Sequence, residues 1–317
     1  YHLGMGKNVS ESSLARANQD RDYHIFEEYA YYLVSEARQK CADHIFRLGG
    51  NVYAFDSTTI DLCLSVFWWA KFRKKKGGIK VHTLYDVETQ IPAFFHITEA
   101  SVHDSKVMIE IPYEPSSYYI FDRGYNNFKM LYKIHQIEAY FVVRAKKNLG
   151  YKSIQWKRRL PKNVLSDASV LLTGFYPKQY YPEPLRLVKY WDEEQEREFT
   201  FITNAMHISA LQVAELYKNR WQVELFFKWL KQYLKIKRFL GTTESAVRIQ
   251  IYAAICAYCL VAIIQHDMQL NRSTYEVLQI LSISLTDKTH LRDLFDKTKF
   301  QNDKERFGPN GPSLFNF

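Results

Sequence analysis

Cysteine is scarce in this chain and long hydrophobic runs are absent. Cys41, Cys63, Cys256 and Cys259 are the only four in 317 residues, too few and too scattered for a disulfide scaffold. A reducing cytoplasm is therefore the default compartment. Cys256 and Cys259 form one CxxC inside the apolar run 249–264, with no second CxxC and no histidine pair at zinc spacing. They read as helix core rather than as a metal or redox centre. That run is about 16 residues, short of the roughly 20 a membrane span needs. It contains Gln250 and is flanked by Arg248 and His266, so a buried helix is expected and no membrane partner. No signal peptide and no internal repeat is visible. The chain begins at Tyr1 rather than Met, and an upstream segment is expected to be missing.

What is present is a core and an excess of positive charge. With 47% hydrophobic residues the chain can bury a large interior, as one large domain or two. Lys plus Arg number 43 against 34 acidic residues, a net charge of +9, which suits a polyanionic partner. Basic residues cluster at 71–76, 144–147, 157–159 and 228–238, often beside aromatics. Each cluster alone also fits a solvated face; four together favour nucleic acid.

Strand and helix patterns alternate along the chain. Residues 10–42 read as helix. Strands follow at 52–60, 79–85 and 91–98, joined by Gly77-Gly78 and the 86–90 turn, in the manner of an antiparallel meander. A short helical stretch at 104–110 precedes a buried strand at 118–122, a helix at 127–136 and a strand at 140–144. This makes a mixed α/β core. From 148 to 204 Gly, Pro and Tyr become frequent and short β patterns recur at 169–174, 185–191 and 199–203, as expected of an inserted β subdomain. From Ser209 to about Phe295 the pattern is helical, in three or four segments, and 296–317 is a polar tail.

The densest chemistry lies on one expected helix, 217–233, which carries Tyr217, Arg220, Glu224 and Lys231. At about 100° per residue, these four fall within roughly 60° of one another. A carboxylate, two cations and a phenol on one face suit phosphate handling. Val223, Phe227, Leu230 and Leu234 form an apolar stripe about 80° around the same helix, so the polar face borders the core and Glu224 sits at a cleft edge. The same residues also fit a solvated face with Arg220 and Glu224 as an i, i+4 ion pair.

Two aspartates can join Glu224. Asp56 falls within an apolar strand, where a buried charge needs a partner or a metal. Asp122 stands where a strand ends and the Arg123-Gly124-Tyr125 turn begins, the usual location of site residues in α/β sheets. If their strands are neighbours, Asp56 and Asp122 come side by side and a helix across the sheet end delivers Glu224. Three carboxylates could hold two Mg²⁺ or Mn²⁺ ions for in-line phosphoryl displacement. Asp61, Asp86 and Asp104 are possible substitutes, with Asp86 read as a turn residue.

Taken together, these motifs resemble the DDE insertion-sequence transposases of family four. The resemblance runs from Gly49-Gly50 through 55–58, 77–82, His103-Asp104 and Phe121-Asp122-Arg123-Gly124-Tyr125 to the spaced helix signature Tyr217, Arg220, Glu224 and Lys231. It implies an α/β fold with a ribonuclease-H-like mixed sheet, a β-strand insertion and a helical C-terminal part. By it, residues 1–48 are a helical remnant of an N-terminal DNA-binding region, with 12–21 its trace. Segments 49–147 and 205–295 make the catalytic core, 148–204 the insertion and 296–317 the tail.

The resemblance also implies that Asp56, Asp122 and Glu224 bind two Mg²⁺ or Mn²⁺ ions and catalyse DNA strand cleavage and strand transfer. Tyr217, Arg220, Lys231, Lys80, Arg123 and Lys228 would contact DNA. A tryptophan of the insertion, Trp191 or Trp156, would stack on a base drawn from the duplex; the alternative is a tryptophan buried in the insertion's own core. The implied partner is double-stranded DNA, as element ends and as target, bound by a dimer on paired ends, in a prokaryotic cytoplasm at the nucleoid. A catalytically inactive DNA-binding remnant and a ribonuclease-H-like nuclease are the alternatives.

Overall fold

The computed structural model describes residues 10–42, 46–63, 65–73, 76–232, 239–272, 274–284 and 290–297. Its core strands are β1 (Val52–Leu62), β2 (Lys71–Arg73), β3 (Lys76–Asp86), β4 (Ile91–Glu99), β5 (Tyr118–Phe121) and β6 (Tyr140–Arg144). β1 pairs antiparallel with β3, and β3 with β4, giving the expected meander. β5 then pairs parallel with β1, and β6 parallel with β5. Helices α3 (Asp104–Val107) and α4 (Phe128–Gln136) lie on the two crossovers that parallel pairing requires. Asn127 caps α4 by accepting from the Met130 N–H at 3.3 Å.

Alternation along the strands fills both faces of the sheet. Val52, Ala54, Tyr118, Ile120 and Val142 face a core built with α2 (His24–Lys40), α6 (Ala210–Lys218), α7 (Trp221–Gln232) and α8 (Glu244–Asp267). Tyr53, Phe55, Tyr119, Phe121, Phe141 and Val143 face the other core, with Val107, Leu131 and Ile134 from α3 and α4. The result is a three-layer, ribonuclease-H-like arrangement. Period-two alternation carries Asp56 and Asp122 onto the first of these faces, the one that α6 and α7 cover.

The insertion contributes β7 (Tyr151–Trp156), β8 (Val164–Leu172), α5 (Phe175–Tyr180), β9 (Leu185–Asp192) and β10 (Arg197–Thr203). β10 pairs antiparallel with β6, so these strands extend the core sheet to ten strands among the described residues. β7, whose residues are nearly all exposed and carry no hydrophobic alternation, and the short β2 are absent from the sequence pattern, and β8 begins at Val164, five residues before the expected strand at 169–174.

Two expected helices are broken. Residues 10–42 form α1 (Glu11–Asp20), capped by Ser10, and α2, because Arg21 is extended and the Asp22 carboxylate accepts the His24 N–H at 3.0 Å. The 217–233 helix breaks at Asn219-Arg220 into α6 and α7. There the Asn219 amide donates to the Glu215 carbonyl and accepts from Gln222, offering the backbone a local alternative to the helical ladder. Val223, Phe227 and Leu230 are buried as the stripe requires; Tyr233 and Leu234 lie outside the described residues.

α8 runs for 24 residues, so the helix is longer than its apolar run and, by length and composition alone, could cross a membrane. More than half of its most apolar window is buried inside this protein, Cys256 and Cys259 included. α9 (Thr274–Ser284) and α10 (Leu291–Lys297) bring the helical part to five segments among the described residues. α10 passes through Asp296, where the tail was expected to begin; 298–317 lie outside the described residues.

Candidate active site

β1 and β5 run parallel with Phe55 opposite Phe121 as their last paired residues. Asp56 and Asp122 follow one step beyond, on the same face. Tyr217, at the end of α6, donates its hydroxyl to Asp122 Oδ1 at 3.0 Å. Arg220, in the break, donates from Nη1 to Asp56 Oδ2 at 2.7 Å and from Nη2 to Glu224 in the first turn of α7. Lys231, in the last turn of α7, donates to the Thr59 carbonyl of β1 at 2.7 Å. The helix break therefore does not scatter the four signature residues. All four reach the β1–β5 end of the sheet.

Burial pushes the Asp56 carboxyl up to about 6; Arg220 and the Ser57 N–H oppose that, and the charges of Glu224 and Asp122 add to it. Asp56 thus feels the charge of both other carboxylates. Burial alone would weaken the Arg220 charge, but Asp56, Tyr217 and Glu224 hold its pKa above the ordinary value. Burial raises the Tyr217 phenol to about 12, which keeps it a donor to Asp122.

Among the described residues no three acidic, histidine or cysteine side chains stand grouped as a metal cage. The Arg220 guanidinium bridges Asp56 and Glu224. The donor set nevertheless suits a hard divalent cation: carboxylate oxygens from three elements, one of them largely desolvated and compensated by a single internal cation.

The substitutes separate cleanly. Asp61 is exposed. Asp86 is buried in its turn, accepting from the Glu88 and Thr89 N–H groups and from Arg38. Asp104 reaches Ser57 from the opposite side of the strand, accepting its hydroxyl at 2.8 Å. Lys80, expected on DNA, is instead drawn in: it lies 3.0 Å from Asp104, donates to the Val102 carbonyl and is 14% exposed. On β3, Lys80 alternates to the Ser57 side of the sheet, away from Arg220.

Arg123 and Lys228 are exposed beside the site's elements. Trp191 and Trp156 are 39% and 59% exposed, so neither fills an insertion core. The sequence reading assigned no role to Tyr125, which is buried and points its hydroxyl at Asp56 Oδ1 across 3.4 Å. Its signal in the sequence is its place in the Phe121-Asp122-Arg123-Gly124-Tyr125 motif, where the 3₁₀ turn 123–125 folds it back.

A ribonuclease-H-like core with carboxylates from β1, from the end of β5 and from a following helix defines a class of enzymes that transfer phosphoryl groups in nucleic acid. The Transposase DDE domain family matches residues 47–260, and the chain belongs to that family. It is 34% identical over 290 residues to the putative transposase y4zB of Sinorhizobium fredii, covering 89% of this chain and 78% of that protein. It is 27% identical to the probable transposase for insertion sequence element IS5377 of Geobacillus stearothermophilus, covering 78% of this chain and 66% of that protein. A third relative, a putative transposase for element IS4SA of Synechocystis, is 24% identical over 89% of this chain and 80% of its own length. The protein is thus a DNA-cleaving transposase, its partner is DNA, and its DDE domain implies dependence on a divalent metal.

Proposed function

We propose that this chain performs cut-and-paste transposition, with Asp56, Asp122 and Glu224 binding two Mg²⁺ or Mn²⁺ ions. The observation that carries this reading is the parallel β1–β5 register, which sets two aspartates side by side under the helix that bears Glu224. Held by these carboxylates, divalent cations would supply activation of a water or a 3′-hydroxyl and stabilisation of the leaving oxygen. The chain's own residues do the rest. Arg220 has the planar fork to grip a phosphate through two donors, and Lys231 and Lys228 serve as point charges. Arg123 follows Asp122 directly and extends the cationic rim. Tyr217 orients Asp122 through its hydroxyl. Trp191 or Trp156 offers a face on which an extruded base can stack.

In this reading 49–147 and 205–295 form the catalytic core around the insertion 148–204. The substrate is duplex DNA carrying the terminal repeats of the element, held by a dimer on paired ends, in a prokaryotic cytoplasm at the nucleoid.

The test is cleavage of duplex DNA made from the sequence flanking this gene, with Mg²⁺ or Mn²⁺, by the chain and its Glu224→Gln and Asp56→Asn variants. Metal-dependent nicks with 3′-hydroxyl ends are expected to disappear in both variants. Undiminished nicking by folded variants would sink the assignment.

A further inference from the structure

Arg220 makes an unusual set of contacts for a side chain read as a phosphate grip. Its side chain is only 16% exposed, and both terminal nitrogens are committed, one to Asp56 on β1 and one to Glu224 on α7. Its Nε is buried and has no hydrogen-bond partner. Leaving a buried donor unsatisfied is unfavourable, so this pose is held by its two carboxylates in spite of the third donor. The two oxygens it engages, Asp56 Oδ2 and Glu224 Oε1, are the kind a hard cation takes. A guanidinium and a divalent ion cannot both occupy the space between them. Glu224 is 54% exposed, so the Glu224 side of the bridge opens to solvent and offers a route out.

We propose that Arg220 is an internal counter-cation that competes with the divalent metal for Asp56 and Glu224. This rests on the reading of those two residues as metal ligands. Arg220 neutralises the carboxylates while no metal is bound and keeps β1 and α7 tied together. On metal entry it is displaced, and all five of its N–H donors, the orphaned Nε–H included, become available to phosphate oxygens. Metal binding and the gripping of DNA are then coupled through one side chain, each favouring the other.

The experiment is a Mn²⁺ titration of the full chain without DNA, followed by the electron paramagnetic resonance of free Mn²⁺. Wild type is compared with Arg220→Met and Glu224→Gln, and folding is checked by circular dichroism in chelator. Arg220→Met is expected to bind Mn²⁺ at least about fivefold more tightly than wild type, the low end of ordinary coupling between sites, and Glu224→Gln more weakly. If Arg220→Met binds no more tightly while Glu224→Gln still weakens binding, the counter-cation role is overturned and the metal assignment stands. If Glu224→Gln leaves Mn²⁺ binding unchanged, the metal assignment fails first and the competition fails with it. Should Arg220→Met not fold, Arg220→Lys keeps the charge but cannot bridge both carboxylates. Tighter Mn²⁺ binding by that variant supports the proposal, and unchanged or weaker binding overturns it.

Discussion

Asp56 and Asp122 stand one residue beyond the same paired rung, Phe55 opposite Phe121, on two parallel strands. Their proximity is thus a property of strand register. It does not depend on a loop conformation.

Tyr217 donates to Asp122 while its ring packs 4.7 Å from that of Phe201. Tyr217→Phe keeps the packing and removes only the hydroxyl. A hydrogen bond to a charged group contributes about 1.5–3 kcal/mol to stability, so we expect a melting temperature lower by several degrees and, because that hydroxyl also orients Asp122, a single-turnover cleavage rate lower by roughly tenfold or more. Quenched-flow cleavage beside a thermal melt checks both; an unchanged rate would remove Tyr217 from the site.

Asp104 holds Ser57 and Lys80 from the far side of β1. Asp104→Ala leaves Lys80 without its carboxylate and Ser57 without its acceptor. Slowed cleavage with retained Mn²⁺ affinity is expected, in contrast to Asp56→Asn, which should lose both. Loss of Mn²⁺ binding in Asp104→Ala would make it a ligand.

Asp167 and Arg186 form a buried pair inside the insertion, 2.7 Å apart, and Arg186 also donates to the Ala205 and Ile208 carbonyls. Removing one partner of a buried pair costs about 3–5 kcal/mol, so Arg186→Met should melt well below wild type. Burial raises the Asp167 carboxyl, but the hydrogen bonds from Arg186 and Lys157 outweigh it and leave the pKa below its ordinary value. A depressed carboxyl contributes stability that is present above its unfolded pKa, about 3.9, and is lost as pH falls through the folded one. Asp167→Asn should therefore flatten the acid limb of the stability profile, as urea melts between pH 5 and 2.5 would record.

Trp191 and Trp156 are exposed enough that truncation should hardly disturb the fold, within about 0.5 kcal/mol for a surface site. Base stacking contributes about 1–3 kcal/mol per base. The alanine variant of the tryptophan that stacks should bind a nicked or frayed end about 5-fold to 150-fold more weakly, by fluorescence anisotropy, and the other should match wild type. Unchanged binding by both variants would leave the insertion without a stacking role.

The sequence by itself determined the strands 52–60 and 118–122, because their alternation and apolar runs leave few other ways to bury Tyr53, Phe55, Tyr119 and Phe121. It likewise determined that Glu224 and Lys231 share one face of α7, since helical spacing is local; Tyr217 and Arg220 join them from the other side of the break. β7 was illegible, because an edge strand exposed on both faces has no pattern to read. The break at Asn219 also escaped, since side-chain hydrogen bonds to the backbone compete there with a periodicity that favours one continuous helix.

Only the tertiary structure decided which carboxylates meet. Asp56, Asp61, Asp86, Asp104 and Asp122 are alike as residues, and their fates follow from strand pairing, from the face each position takes and from what packs over it. Long-range register aligned Asp56 with Asp122, turned Lys80 toward Asp104 and set Arg220 between two acids separated by more than 160 positions of chain. Spacing along the sequence carries no record of such pairings, because they arise from burying two faces of a sheet at once.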